Sequence, residues 1–93
     1  MNANQLMKQV ISSYGKQLQT FVAIEEMAEL MKELTKNMRG EDNHAAVLEE
    51  VADVYIMLEQ IKIMQDIPNS ELHGMIARKL YRLEQRMKGV KPE

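Results

Sequence analysis

An all-α fold follows from three observations on this chain. Apolar residues recur at helical spacing through four segments, and no stretch alternates apolar and polar residues long enough to form a strand. Glycine and proline stand almost entirely between the periodic segments, as punctuation. The first segment is a short helix with Leu6, Val10 and Ile11 as its apolar residues, stopped at Gly15. A long second helix begins near Lys16 and closes at Gly40. Asp42 or Asn43 then offers a side-chain oxygen to the free N–H groups of a third helix. That helix runs to about Asp66, because Pro68 disfavours helical geometry at Ile67. Asn69 or Ser70 caps the fourth, and Gly89 falls where a left-handed residue ends a helix. Gly74, inside this last helix, weakens it by up to about 1 kcal/mol relative to alanine.

Composition narrows the function classes. Ninety-three residues make one domain, spanning 1–93. A chain this short buries roughly 60–65% of the surface its unfolded form exposes, so its own core is modest and association is a common way to finish it. With 14 acidic and 12 basic side chains the net charge is −2, which gives no global electrostatic reason to bind nucleic acid or an anionic membrane. The absence of cysteine excludes disulfides, thiolate zinc sites and thiol nucleophiles, and fits a reducing compartment. No apolar run approaches the ~18 residues of a membrane span. The polar start Met1-Asn2-Ala3-Asn4-Gln5 lacks the layout of a signal peptide. The expectation is a soluble, cytoplasmic domain.

Two segments carry acids in a shared arrangement: Ile24-Glu25-Glu26-Met27-Ala28-Glu29-Leu30 and Leu48-Glu49-Glu50-Val51-Ala52-Asp53-Val54. Glu26/Glu29 and Glu50/Asp53 are i,i+3 pairs, so each pair projects from one side of its helix. An antiparallel hairpin turning near Gly40 brings the four carboxylates together, where they repel unless cations are present. Hard divalent ions with oxygen ligands, Mg²⁺ or Mn²⁺, are their natural partners. Isolated pairs of this kind are usually solvated helix charges, but helical bookkeeping at about 100° per residue argues otherwise for the second pair. Glu50 is flanked by Ala46, Val54, Met57 and Ile61, and Asp53 shares a stripe with Ala46, Met57 and Met64. An unpaired charge in such an apolar face is costly. Glu59 lies on the far side, as a solvated charge should. On the second helix the expected core stripe is Ile24, Met27, Met31, Leu34 and Met38. Glu26 and Glu29 border it, and Gln19 lies seven residues before Glu26 on the same face. A di-iron bundle requires Glu-x-x-His on paired helices, and no histidine stands in such a place.

The sequence E-E-x-x-E-L followed after a spacer by E-E-x-A-D-V resembles the signature of the MazG-like nucleotide pyrophosphohydrolases, within the all-α NTP pyrophosphatase superfamily. Tyr14-Gly15-Lys16-Gln17-Leu18-Gln19, the run Ala52–Gln60 and Lys79-Leu80-Tyr81-Arg82-Leu83 extend the resemblance over residues 14–88. It is nearest to the small single-domain versions found in phages and bacteria. The resemblance implies a four-helix MazG-like bundle completed by oligomerisation, as a homodimer or homotetramer. It also implies hydrolysis of a nucleoside triphosphate to a monophosphate and pyrophosphate, with Mg²⁺ held by Glu26, Glu29, Glu50 and Asp53. Glu25 matches the first acid of the motif. Orienting ligands, acting on the attacking water and a structural role all fit it. Glu49 falls on another face. A catalytic set of Glu25, Glu26, Glu29, Glu50 and Asp53 suits the chemistry, since metal ions neutralise a triphosphate and activate a bound water without histidine or nucleophilic serine.

Lys79, Arg82 and Arg86 form a basic stripe on the last helix beside an apolar stripe of Leu72, Ile76, Leu80, Leu83 and Met87. Either the basic stripe is a solvated face or it holds the β- and γ-phosphates, and the resemblance supports the latter most for Lys79 and Arg82. Gln19 is a candidate contact to base or ribose, with a plain surface glutamine as the alternative. His44 and His73 read as ordinary polar residues. The third helix is apolar on a second side as well (Leu48, Ala52, Ile56 and Ile63), and a single chain cannot cover both sides. Two functions compete: a pyrophosphohydrolase clearing non-standard or surplus nucleotides, and a non-catalytic oligomeric helical module with structural carboxylates.

Overall fold

A computed structural model describes residues 1–89. It contains four helices, α1 (Ala3–Tyr14), α2 (Lys16–Met38), α3 (His44–Met64) and α4 (Asn69–Met87), and no strand among the described residues. None of these helices is long and apolar enough to cross a membrane.

The helix ends follow local chemistry. A capping box opens α1: the Gln5 N–H donates to the Asn2 side chain at 2.8 Å, and the Asn2 N–H donates to the Gln5 side chain at 3.0 Å. Gly15 separates α1 from α2. At the end of α2, Gly40 adopts φ 97°; the Glu41 N–H donates to the Lys36 carbonyl and the Gly40 N–H to that of Asn37. This is a Schellman turn, whose left-handed position favours glycine. The same turn ends α3 with Asp66 at φ 53°, where the Ile67 N–H donates to the Lys62 carbonyl at 2.9 Å and the Asp66 N–H to that of Ile63 at 3.3 Å. α3 therefore stops at Met64, just short of the expected Asp66.

Two expected caps are not made. Asn43 precedes α3, yet its amide donates across the turn to the Glu33 main-chain carbonyl (2.9 Å) and to the Glu33 carboxylate (3.1 Å). It also accepts from Asn37 at 3.2 Å. A side chain spent on α2 cannot cap α3, so Asn43 is a clasp joining the two helices. At α4, Pro68 holds the cap position, and neither Asn69 nor Ser70 makes a capping bond.

α2 and α3 form the antiparallel hairpin that is the body of the molecule, and α1 rests against both. Among the described residues only three apolar ones are buried: Ala23, Met57 and Met64. The expected core stripe of α2 is for the most part outside. Ile24, Met31, Leu34 and Met38 are 46–86% exposed, and only Met27 is half-buried. The face turned to α3 instead carries Gln19, Ala23, Glu26, Leu30 and Glu33. The small side chain of Ala23 lets the helices approach, and the buried Gln19 and Gln60 are joined across the seam by a 2.7 Å hydrogen bond. Hydrophobicity alone pointed to the methionine-rich side; fit and hydrogen bonding selected the other.

α4 packs against none of the other helices. The four-helix packing expected from the sequence is thus not made within one chain. The radius of gyration is 16.7 Å, against about 12 Å for a compact domain of this length. The Schellman turn at Asp66 aims α4 away from the hairpin, leaving its apolar stripe uncovered.

Asn43→Ala removes three hydrogen bonds from the clasp and is expected to cost about 1–2 kcal/mol in urea unfolding. An unchanged midpoint would show that the clasp does not hold the hairpin.

Candidate metal centre

The seam between α2 and α3 is a ladder of polar residues, seven apart along α2 and between Asp53 and Gln60 on α3. Gln19, Glu26 and Glu33 come from α2, two helical turns apart, and Gln60, Asp53 and Asn43 face them from α3 and its approach, with Glu50 beside Asp53. The outer rungs are neutralised by hydrogen bonds, Gln19 to Gln60 at one end and Glu33 to Asn43 at the other. Glu33 also pairs with Lys36 at 3.1 Å. The middle rung is different. Glu26, Glu50 and Asp53 each place a carboxylate oxygen within 4.8 Å of the other two.

No cation of the described residues answers this cluster. Among the described residues the ion pairs are Lys36–Glu33, Lys62–Glu59 and Lys88–Glu84, and none reaches it. Structural ion pairing therefore does not account for these acids, whereas Glu59 pairs at the surface as a solvated charge does. Glu26 and Glu50 are half-buried, and Glu50 Oε2 is shut off from solvent without a hydrogen-bond partner. Three clustered carboxylates, one with an orphaned buried oxygen, are a donor set of the kind that suits a hard divalent cation.

Electrostatics report the same strain. Burial raises the pKa of Glu26, reinforced by the charge of Asp53, a hydrogen bond with its carboxyl, and the charges of Glu50 and Glu29. Burial also raises that of Glu50, followed by the charges of Asp53, Glu29, Glu33 and Glu49. Glu33 moves the opposite way, lowered first by the hydrogen bond from Asn43 and then by that from Lys36.

The structure brings together three of the four expected metal ligands. Glu29 is exposed at the rim, near enough for its charge to act on Glu26 and Glu50 but outside the close group. Glu25 and Glu49 are exposed and also outside it. Gln19 is 6% exposed and bound to Gln60, so it is a seam residue and no surface glutamine. Lys79 and Arg82 lie exposed on α4, which does not approach the seam within one chain. The sequence reading passed over Gln60 and the Glu33–Asn43 clasp. Gln60 was legible as the residue seven beyond Asp53, and Glu33 as the residue seven beyond Glu26. No family model matches the chain, and no curated protein or solved structure matches it either.

The raised carboxyls make a prediction. Folded Glu26 and Glu50 hold their protons more tightly than the unfolded chain does, so their contribution is fully present below the ordinary carboxylate range and is lost as pH rises through their raised values. Glu33, lowered, contributes above that range and loses its contribution in acid. With a chelator present, thermal unfolding should give a midpoint that declines as pH rises above the ordinary carboxylate range. Glu50→Gln should flatten that decline. A wild-type midpoint rising steadily across the same interval would contradict the picture of a strained cluster.

Proposed function

We propose that this chain is a Mg²⁺-dependent nucleoside triphosphate pyrophosphohydrolase, with Mn²⁺ as an alternative ion, releasing a nucleoside monophosphate and pyrophosphate. Non-standard or surplus deoxynucleotides are the substrate class. The reading is carried by one observation: three carboxylates converge at a helix seam that no cation of the described residues reaches, one of them with an orphaned buried oxygen. The E-E-x-x-E-L and E-E-x-A-D-V segments that supply them are the ones that resemble the MazG-like motif.

Glu26, Glu50 and Asp53 would hold the metal, with Glu29 at the rim available to a second ion or to water-mediated contact. A bound Mg²⁺ supplies neutralisation of the phosphates and a more acidic water. The chain's own residues do the rest. Gln19 and Gln60 close the seam beside the acids and fix the separation of the helices there. Glu25, exposed next to Glu26, orients water at the rim. Lys79 and Arg82 supply positive charge for the β- and γ-phosphates. The protein acts as a homodimer or homotetramer, without nucleic acid or membrane as a partner. A non-catalytic helical module accounts for the uncovered apolar faces equally well. It leaves the acids at the middle of the seam without a purpose for their cost.

Two measurements test the assignment. Mg²⁺ should raise the thermal midpoint at neutral pH, and incubation with a panel of standard and modified nucleotides should yield monophosphate and pyrophosphate. Glu50→Gln and Asp53→Asn should each lower turnover by more than about 100-fold, beyond what losing a mere supporting contact to a metal ligand costs. Both variants should stay folded, with metal-free stability equal to or above wild type, because a repelling, poorly solvated charge has been removed. No product from any nucleotide, or stability indifferent to Mg²⁺, would favour the module.

A further inference from the structure

Gln19 and Gln60 are the most deeply buried polar side chains among the described residues, 6% and 5% exposed. The Gln19 amide donates to Gln60 Oε1 at 2.7 Å. Each stands seven residues from an acid of the cluster, Gln19 from Glu26 and Gln60 from Asp53. Seven residues are about 10 Å along a helix axis, so neither amide reaches an ion held by those acids. Between the glutamines and the acids lie Ala23 on α2 and Met57 on α3, 1% and 4% exposed. A separation fixed at the amide bond is carried to the acids, because closely packed helices transmit strain instead of absorbing it.

The pair is also neutral. A lysine or arginine in its place could hold the helices together, but it would bring positive charge toward the acids. Two amides hold without neutralising, and the cluster still needs a cation. Direction matters as well: a hydrogen bond tolerates little change in distance or angle, whereas apolar contact slides. Left free, Glu26 would move away from Asp53 and Glu50, whose charges act against it. Gathering repelling ligands before a cation arrives removes that cost from the binding step. Gln19, meanwhile, is committed to Gln60. Contact with a base or ribose would break a desolvated hydrogen bond and leave Gln60 unpartnered there, which is expensive.

We infer that Gln19 and Gln60 are positioning residues for a divalent cation: their hydrogen bond holds Glu26 against Glu50 and Asp53 and so sets the affinity of the site, while Gln19 makes no contact with the nucleotide. The inference rests on the metal reading of the cluster given above.

Titration of the full chain with Mn²⁺, read by the paramagnetic resonance of the free ion, tests it without nucleotide. Gln19→Met/Gln60→Met nearly conserves volume and removes the hydrogen bond. It should bind Mn²⁺ at least about tenfold more weakly, the low end of what losing a supporting contact to a metal ligand costs. Its unfolding midpoint in chelator should be no lower than wild type, since both polar partners are replaced together and the acids can relax. A packing role alone would leave affinity intact wherever stability is intact. Equal affinity in variant and wild type overturns the proposal. Should circular dichroism show that the double variant loses helix, Gln60→Asn decides instead. It keeps the amide but shortens its reach by one methylene, and unchanged Mn²⁺ affinity there is equally fatal. With Mg²⁺ and the nucleotide panel, the double variant should need more Mg²⁺ for half-maximal turnover and keep the wild-type order of preference among bases. An altered preference with unaltered metal affinity would make Gln19 a base contact, against the inference. A wild type that binds no Mn²⁺ at millimolar concentration removes the metal reading and the inference together. A wild type that binds Mn²⁺ but turns over no nucleotide removes the hydrolase reading alone, and the titration still decides the role of the glutamines.

Discussion

The close approach of α2 and α3 at Ala23 is the constraint on which the rest of this protein depends. It fixes which side of each helix faces the seam, and on α2 that side is largely polar. Gln19 meets Gln60 at 2.7 Å near one end, and Asn43 clasps Glu33 near the turn. Between these satisfied rungs three acids are forced together. A buried amide pair contributes little net stability, but it is expensive to break once desolvated. The two ends of the ladder therefore hold the helices at a distance that the acids, left alone, would increase. Repulsion stored in this way is what the proposed cation would relieve.

The same choice of seam turns the rest of α2 inside out. With polar residues spent on the helix–helix contact, Ile24, Met31, Leu34 and Met38 are left facing outward. The second side of α3 and the stripe of α4 add to the uncovered surface. Among the described residues only Ala23, Met57 and Met64 are buried apolar side chains, a small gain against the entropy of ordering the four helices. The polar seam that gathers the acids is also why apolar faces of α2 and α3 remain uncovered.

Local features were open to reading from residue order. Gly15, Gly40 and Pro68 mark the breaks, and the elements fall within about two residues of the expected limits, as far as helix ends can be defined. The i,i+3 acids on α3 lie on the face expected for them, next to Met57 and Met64. Of the two acids expected beside the α2 core stripe, Glu26 lies on the α3 side and Glu29 stays exposed at the rim, and the stripe itself proved to be surface. What misled was hydrophobicity without shape. The methionine side of α2 is the more apolar, but the Ala23 side fits α3 and carries hydrogen-bonding partners for Gln60 and Asn43.

By itself the sequence determined the helical class, the order and limits of the four helices, and the pairing of acids at a spacing that puts each pair on one side. These depend on dihedral preferences and helical periodicity, which act over a few residues. Only the tertiary structure decided that Glu26 joins Glu50 and Asp53 while Glu29 stays at the rim, that Asn43 clasps rather than caps, and that α4 leaves the hairpin altogether. Those outcomes are set by the fit of one helix against another and by the direction of a single turn at Asp66. Residue order encodes both, but neither can be read from any one helix alone.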